Sequence, residues 1–141
     1  MKKKGTTLLE TIVSISILLM GIVLISTLIL NLKKSQHYRN LREEAGRISY
    51  AIESEIKYNH KKHELENIFS ASTVIELNLE EDFLEKLLYE DLFNFPRGYG
   101  VVIEMINSPE ENIKEFEVLI RDIEGAILSE RKFYKNNWMD L

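Results

Sequence analysis

One carboxylate stands apart from the other groups able to do chemistry. Glu10 heads an apolar run, and from Thr11 to Leu30 no side chain is charged. A lone acid in such a run is expensive to desolvate, which makes it a functional-site candidate by default. The remaining candidates are weaker. His60 and His63 are three apart, but there is no cysteine and only His37 besides, so a metal site would need carboxylates of unknown position. The spacing is not the His-Glu-x-x-His pattern. A solvated charged turn accounts for His60-Lys61-Lys62-His63-Glu64, and all three histidines fall in polar surroundings. Glu80, Glu81, Asp82, Glu85 and Glu90 suit the wet face of a helix better than acid–base pairing. Gly98-Tyr99-Gly100 lacks the Lys-Ser/Thr and the following helix of a phosphate-binding loop. With no Gly-x-Ser-x-Gly and no convergent His/Asp/Ser pattern, no catalytic, cofactor-binding or metal-ligating residue is expected, and the chain does not read as an enzyme.

What positions Glu10 is the run itself. A helix needs roughly 20 predominantly apolar residues to cross the hydrocarbon core, and Thr11–Leu30 supplies them. Lys2, Lys3 and Lys4 precede it. A cleaved secretory signal would carry a shorter apolar stretch and an Ala-x-Ala-like site, and neither is present. Lys33, Lys34, Arg39, Arg42 and Arg47 follow the run, so counting basic residues does not fix its orientation; the cluster is explained as flanking a membrane surface. Set aside three of the 18 basic and one of the 23 acidic residues, and the rest of the chain carries a net charge of about −7. Binding nucleic acid through bulk electrostatics is not expected of such a surface.

The order Lys2-Lys3-Lys4-Gly5-Thr6-Thr7-Leu8-Leu9-Glu10, followed by an uninterrupted apolar helix, resembles the class III signal of type IV pilins and pseudopilins. The resemblance covers the first 30 residues, and basic leader, glycine, spacing and helix all agree. It implies cleavage after Gly5 by a prepilin peptidase, methylation of the new amino terminus at Thr6, and an assembly role for Glu10, the fifth residue past the cut. It also implies other pilin or pseudopilin subunits as partners. The protein would be a single-pass precursor in a bacterial inner membrane, then part of a periplasmic or extracellular filament. The family usually has Phe or Met where this chain has Thr6, and many major pilins have a mid-helix proline where the only breaker here is Gly21. Both departures point to a minor pilin or pseudopilin. The alternatives are a pseudopilin of a type II secretion or DNA-uptake machine, and a single-pass protein with an anchored binding or enzymatic domain.

The glutamate has a physical logic of its own. Cleavage at Gly5 would create a free amine, with the Glu10 carboxylate on the fifth residue past the cut, a basic group and an acidic one in the same stretch. Charges in a low-dielectric setting are tolerable when paired. If parallel helices pack with a vertical offset, Glu10 of one chain can meet the Thr6 amine of the next and set their register.

Beyond the run the helical pattern continues. Leu41, Ala45, Ile48, Ile52 and Ile56 form one apolar face, with Arg39–Glu43, Glu43–Arg47 and Glu53–Lys57 as surface pairs four apart. No proline intervenes before Asn59, so one helix over residues 6–59 is expected, about 80 Å long at 1.5 Å per residue. Thr73–Leu79 alternates as a short strand. Asn78 and Glu81 read as a capping box for a helix with Phe83, Leu84, Leu87 and Leu88 on its apolar side. Phe93–Gly100 is a turn region whose aromatic residues cap the core. The last third reads as a three-stranded meander over about 99–105, 116–120 and 126–134, turning at 107–112 and 122–125. Ser129 and Arg131 share a face with Ile127 and Phe133, an unclean pattern. The expected fold is α+β, a long N-terminal transmembrane helix packed on a small antiparallel meander. Its expected divisions are a leader (1–5), a membrane or filament-core segment (6–30), an amphipathic continuation (31–59) and a small globular domain (60–141).

Overall fold

A computed structural model describes residues 3–106, 113–136 and 139. Its first element, α1, is a single helix over Lys3–Tyr58. It begins at Lys3, within the expected leader and three residues earlier than the sequence pattern places it, because nothing in Lys3-Lys4-Gly5 stops a helix strongly enough to outweigh the run that follows. The chain divides into two compact units, Met1–Asn40 and Leu41–Leu141. After α1 come a second helix, α2 (Lys62–Ile68), strand β1 (Val74–Asn78), a one-turn helix α3 (Phe83–Lys86), a 3-10 turn over Leu92–Asn94, and strands β2 (Gly100–Ile106), β3 (Ile113–Arg121) and β4 (Ile127–Asn136).

The four strands form one antiparallel sheet in the order β1-β2-β3-β4. The fold is thus α+β, as expected, with four strands in place of three: β1 joins the meander by pairing with β2, from Val74 opposite Glu104 to Asn78 opposite Gly100. Strand alternation builds the core. Ile75, Leu77, Val101, Ile103, Phe116, Val118, Ile120 and Phe133 share one face and are buried. Against that face lie Ala45, Ile48, Ile52 and Ile56, the stripe that helical spacing predicts, in the same core cluster. The outward side of β1 is closed as well. The Ser72 hydroxyl donates to the Val74 carbonyl (2.8 Å) and accepts from its amide (3.2 Å), while the Gly98 amide donates to the Glu76 carbonyl (3.3 Å). An edge covered in this way is a poor template for another strand.

Several expectations need correction. His60–Glu64 does not stay a polar loop: α2 starts at Lys62, and the Glu64 carboxylate accepts from the Lys61 amide at 3.0 Å. The Asn78/Glu81 capping box does not form, since α3 starts after Asp82 and the Asn78 side chain donates to Glu80 instead. With α3 limited to one turn, Leu88 falls outside it and is 77% exposed, whereas Phe83 is buried. Glu43 pairs with Arg47 at 2.8 Å and not with Arg39. Phe95 caps the core as expected, Phe93 packs against it, and Tyr99 stays half-exposed. The turn at 107–112 lies outside the described residues. The turn at 122–125 forms, with Asp122 Oδ1 accepting from the amides of Glu124 (2.9 Å) and Ala126 (2.8 Å) and with Gly125 at φ +87°.

Candidate functional site

Gly5, Thr6 and Glu10 all lie on the backbone of α1, with the expected cleavage junction a little over one helical turn before the acid. Of the lysines in the expected leader, Lys3 and Lys4 fall within α1, and Lys2 lies outside the described residues. From Leu8 to Leu32 every large apolar side chain is between 48% and 69% exposed, so this half of α1 presents its apolar surface on all sides. It is long and apolar enough to cross a membrane.

The polar residues of that segment are treated in two ways. The hydroxyls of Thr11, Ser14, Ser16, Ser26 and Thr27 fold back onto carbonyls three or four residues earlier, at 2.8 Å for Ser14 to Glu10, Ser16 to Ile12, Ser26 to Ile22 and Thr27 to Leu24. Bonded within the helix, they bring little desolvation cost to an apolar environment. The Glu10 carboxylate has no hydrogen bond or ion pair among the described residues, and a carboxylate has no comparable way of satisfying itself within the helix.

In the second unit the unclean face of β4 becomes intelligible. Ser49, Glu53 and Lys57 occupy one line along α1, beside the apolar stripe. Ser129, Arg131 and Lys135 occupy alternate positions of β4. The two lines meet: Ser49 Oγ to Ser129 Oγ is 2.9 Å, Arg131 Nη1 donates to Glu53 Oε2 at 3.0 Å, and Lys135 Nζ donates to the Lys57 carbonyl at 2.6 Å. Lys57 Nζ also donates to Glu53 Oε1 at 2.6 Å. Lys135 is fully buried in this seam. A polar seam between a helix and a strand fixes their register in a way that interchangeable apolar contacts do not. Polar residues four apart on the helix and at even spacings of two and four on the strand are its sequence signal, visible once the strand is known to face the helix.

His60 is not in polar surroundings. It is 7% exposed, its ring meets that of Phe93 edge-on (centroids 4.8 Å), and Nε2 lacks a hydrogen-bond partner. Glu55 Oε1 at 3.8 Å and Asp91 Oδ1 at 3.7 Å are both beyond bonding length. Its neighbour in the pattern, His63, is 68% exposed, so the two do not act together. Among the described residues no group of three or more His, Asp or Glu is placed to hold a metal ion. Near α3, Lys86 contacts Glu80 and lies 3.3 Å from Asp82. The hydrogen bond to Glu80, with Asp82 adding to it, holds the lysine above its ordinary pKa of 10.5. A groove beside β1 is lined by Ile68, Val74, Glu76 and Arg97, with no convergent catalytic groups.

Fold and site together define an α+β chain carrying an N-terminal helix suited to a membrane, with an acid near its start that has no partner among the described residues. Compared with protein-family models, curated proteins and solved structures, the chain has no match.

Proposed function

We propose that this chain is a minor pilin or pseudopilin, a structural subunit of a type IV pilus-like filament rather than an enzyme. It would be made as a single-pass precursor in the bacterial inner membrane and cut after Gly5 by a prepilin peptidase. Methylated at Thr6, it would then assemble with other subunits through its N-terminal helix. The observation that carries this reading is the isolation of Glu10. Behind Lys-Lys-Lys-Gly-Thr-Thr-Leu-Leu, the hydroxyls that follow on the helix are internally bonded and the acid is left alone. The Thr6 amine of a neighbouring subunit would complete it. Moving the exposed apolar half of α1 from lipid into a bundle of like helices exchanges one apolar environment for another, so assembly need not work against the hydrophobic effect.

Intact-mass measurement of the membrane form tests the processing step. The expected species begins at Thr6, with or without one methyl group; a chain that retains Met1–Gly5 overturns the reading and favours a single-pass protein with an anchored domain. Glu10→Leu should leave insertion and cleavage intact while reducing incorporation into filaments, and unchanged incorporation would remove Glu10 from its assigned role. A pseudopilin of a secretion or DNA-uptake machine would pass both tests, since it shares the processing and the packing.

A further inference from the structure

The cations that follow the apolar run differ from six of those in the globular unit. Arg47, Lys57, Lys86, Lys114, Arg131 and Lys132 each lie within 4.0 Å of a carboxylate. Lys33, Lys34 and Arg39 are exposed on α1 and have no carboxylate partner among the described residues. The sequence around them is free of competing acid, since neither Asp nor Glu occurs between Glu10 and Glu43. At about 100° per residue, Arg39 lies about 240° and Lys34 about 100° around the axis from Lys33. The three cations therefore encircle the helix, within a rise of about 9 Å. A helix lying along a membrane surface would gather its cations on one side. A ring suits a helix that passes through the plane of the charges it meets.

Length places that plane. Thr11–Leu32 is uncharged, and its 22 residues rise about 33 Å, against a hydrocarbon core of about 30 Å. With Glu10 at one boundary, Lys33 and Lys34 reach the headgroup layer at the other. Tyr38, 39% exposed and beside the His37 ring, supplies the amphipathic aromatic residue common at that depth.

We propose that Lys33, Lys34 and Arg39 form a collar that binds the phosphates of anionic phospholipids around the point where α1 leaves the bilayer. The proposal rests on the membrane span, not on cleavage or filament assembly. The collar would give the subunit a lipid preference that the net-negative remainder of the chain could not supply. A Lys or Arg near an anionic surface is worth about 1 kcal/mol, or about fivefold per cation when fully engaged.

The test reconstitutes the full chain in phosphatidylcholine vesicles containing a trace of spin-labelled phosphatidylglycerol or spin-labelled phosphatidylcholine. The motionally restricted fraction of each label is then measured by electron spin resonance. Expected is a roughly three- to tenfold higher association of phosphatidylglycerol, falling to parity in Lys33→Gln/Lys34→Gln/Arg39→Gln and in 0.5 M salt. Lys61→Gln/Lys62→Gln, in the globular unit, should leave the preference unchanged. Parity in the wild type, or a preference that survives the triple substitution, overturns the collar. Absence of any restricted component for either lipid would instead overturn the span on which it rests.

Discussion

Replacing Glu53 by alanine should destabilise the globular unit by about 2 kcal/mol, and in that background Arg131→Met should restore part of the loss. Glu53 is 14% exposed and holds two cations, Arg131 at 3.0 Å and Lys57 at 2.6 Å. Hydrogen bonds to charged groups contribute roughly 1.5–3 kcal/mol each. Arg131 is 39% exposed and Lys57 20%, so water recovers part of each bond when the acid is removed, and the cost stays well below the sum. Arg131 alone has a mixed balance. It bonds Glu53 and lies over the Tyr50 ring at 5.5 Å, yet its Nε is buried without a partner. Losing the first two costs about 1–2 kcal/mol, and relieving the orphaned N–H returns about 1 kcal/mol, so Arg131→Met in the wild type should cost no more than about 1 kcal/mol. Once Glu53 is alanine, Arg131 keeps the orphaned N–H and loses the acid that stood between it and Lys57. The same substitution then changes sign and stabilises by about 0.5–1 kcal/mol.

Urea unfolding of the detergent-solubilised full chain, followed by far-UV circular dichroism and by the fluorescence of the single tryptophan, gives the four midpoints of this cycle. Equal destabilisation by Arg131→Met in both backgrounds would refute the seam as a coupled unit. The contacts would then be adjacent surface pairs that add independently.

Two glycines should respond in opposite directions to alanine in the same unfolding assay. Gly46, with open space where a Cβ would go and a mid-helix position, should gain up to about 1 kcal/mol, whereas Gly100, at φ +120° with a Cβ that would lie 2.4 Å from that of Leu79, should lose about 3 kcal/mol or fail to fold. The pKa of Lys86 is raised above 10.5 by Glu80 and Asp82, so its stabilising contribution is complete below pH 10.5 and disappears as pH climbs through the folded value. A pH series from 9 upward should show Lys86→Met with a shallower alkaline decline than the wild type, and parallel curves would count against the contact.

The elements with a single dominant periodicity were legible in the sequence. The α1 stripe and the β3 alternation of Phe116, Val118 and Ile120 needed no tertiary information, because each buries one regular face. The sequence pattern missed α2 because His60-Lys61-Lys62-His63 has the composition of a turn, and the helix there is anchored mainly by Leu65, its buried residue. It overextended α3 because Leu87 and Leu88 continue an apolar pattern that the chain leaves after one turn. The pairing of β1 with β2 crosses the whole segment between Asn78 and Gly100, and local spacing carries no information about such a closure. His60 was misplaced for a related reason. Its burial depends on Phe93, more than thirty residues away. Of the candidate site, the identity of Glu10 was visible from sequence, but its isolation was not. That required knowing that the neighbouring hydroxyls bond their own helix.

The two stretches of α1 handle polar groups by different rules, and the difference bears on how a subunit of the proposed kind would be built. Between Leu41 and Tyr58, polar side chains reach across to β4, so the register of helix and sheet is set inside one chain. Between Thr7 and Thr27, the bonded hydroxyls turn inward to the backbone, leaving the outer surface apolar and nearly featureless. A featureless apolar helix packs against its own kind at many vertical offsets with similar energy, since lipid and neighbouring helices are comparably apolar. One carboxylate removes that degeneracy, because only the offset that brings it a cation avoids leaving a charge unpaired in a low-dielectric setting. A second such group in the run would weaken the selection by permitting a second offset. A single acid at Glu10, with the hydroxyls of Thr11, Ser14, Ser16, Ser26 and Thr27 already satisfied, is therefore the arrangement that a one-register assembly calls for.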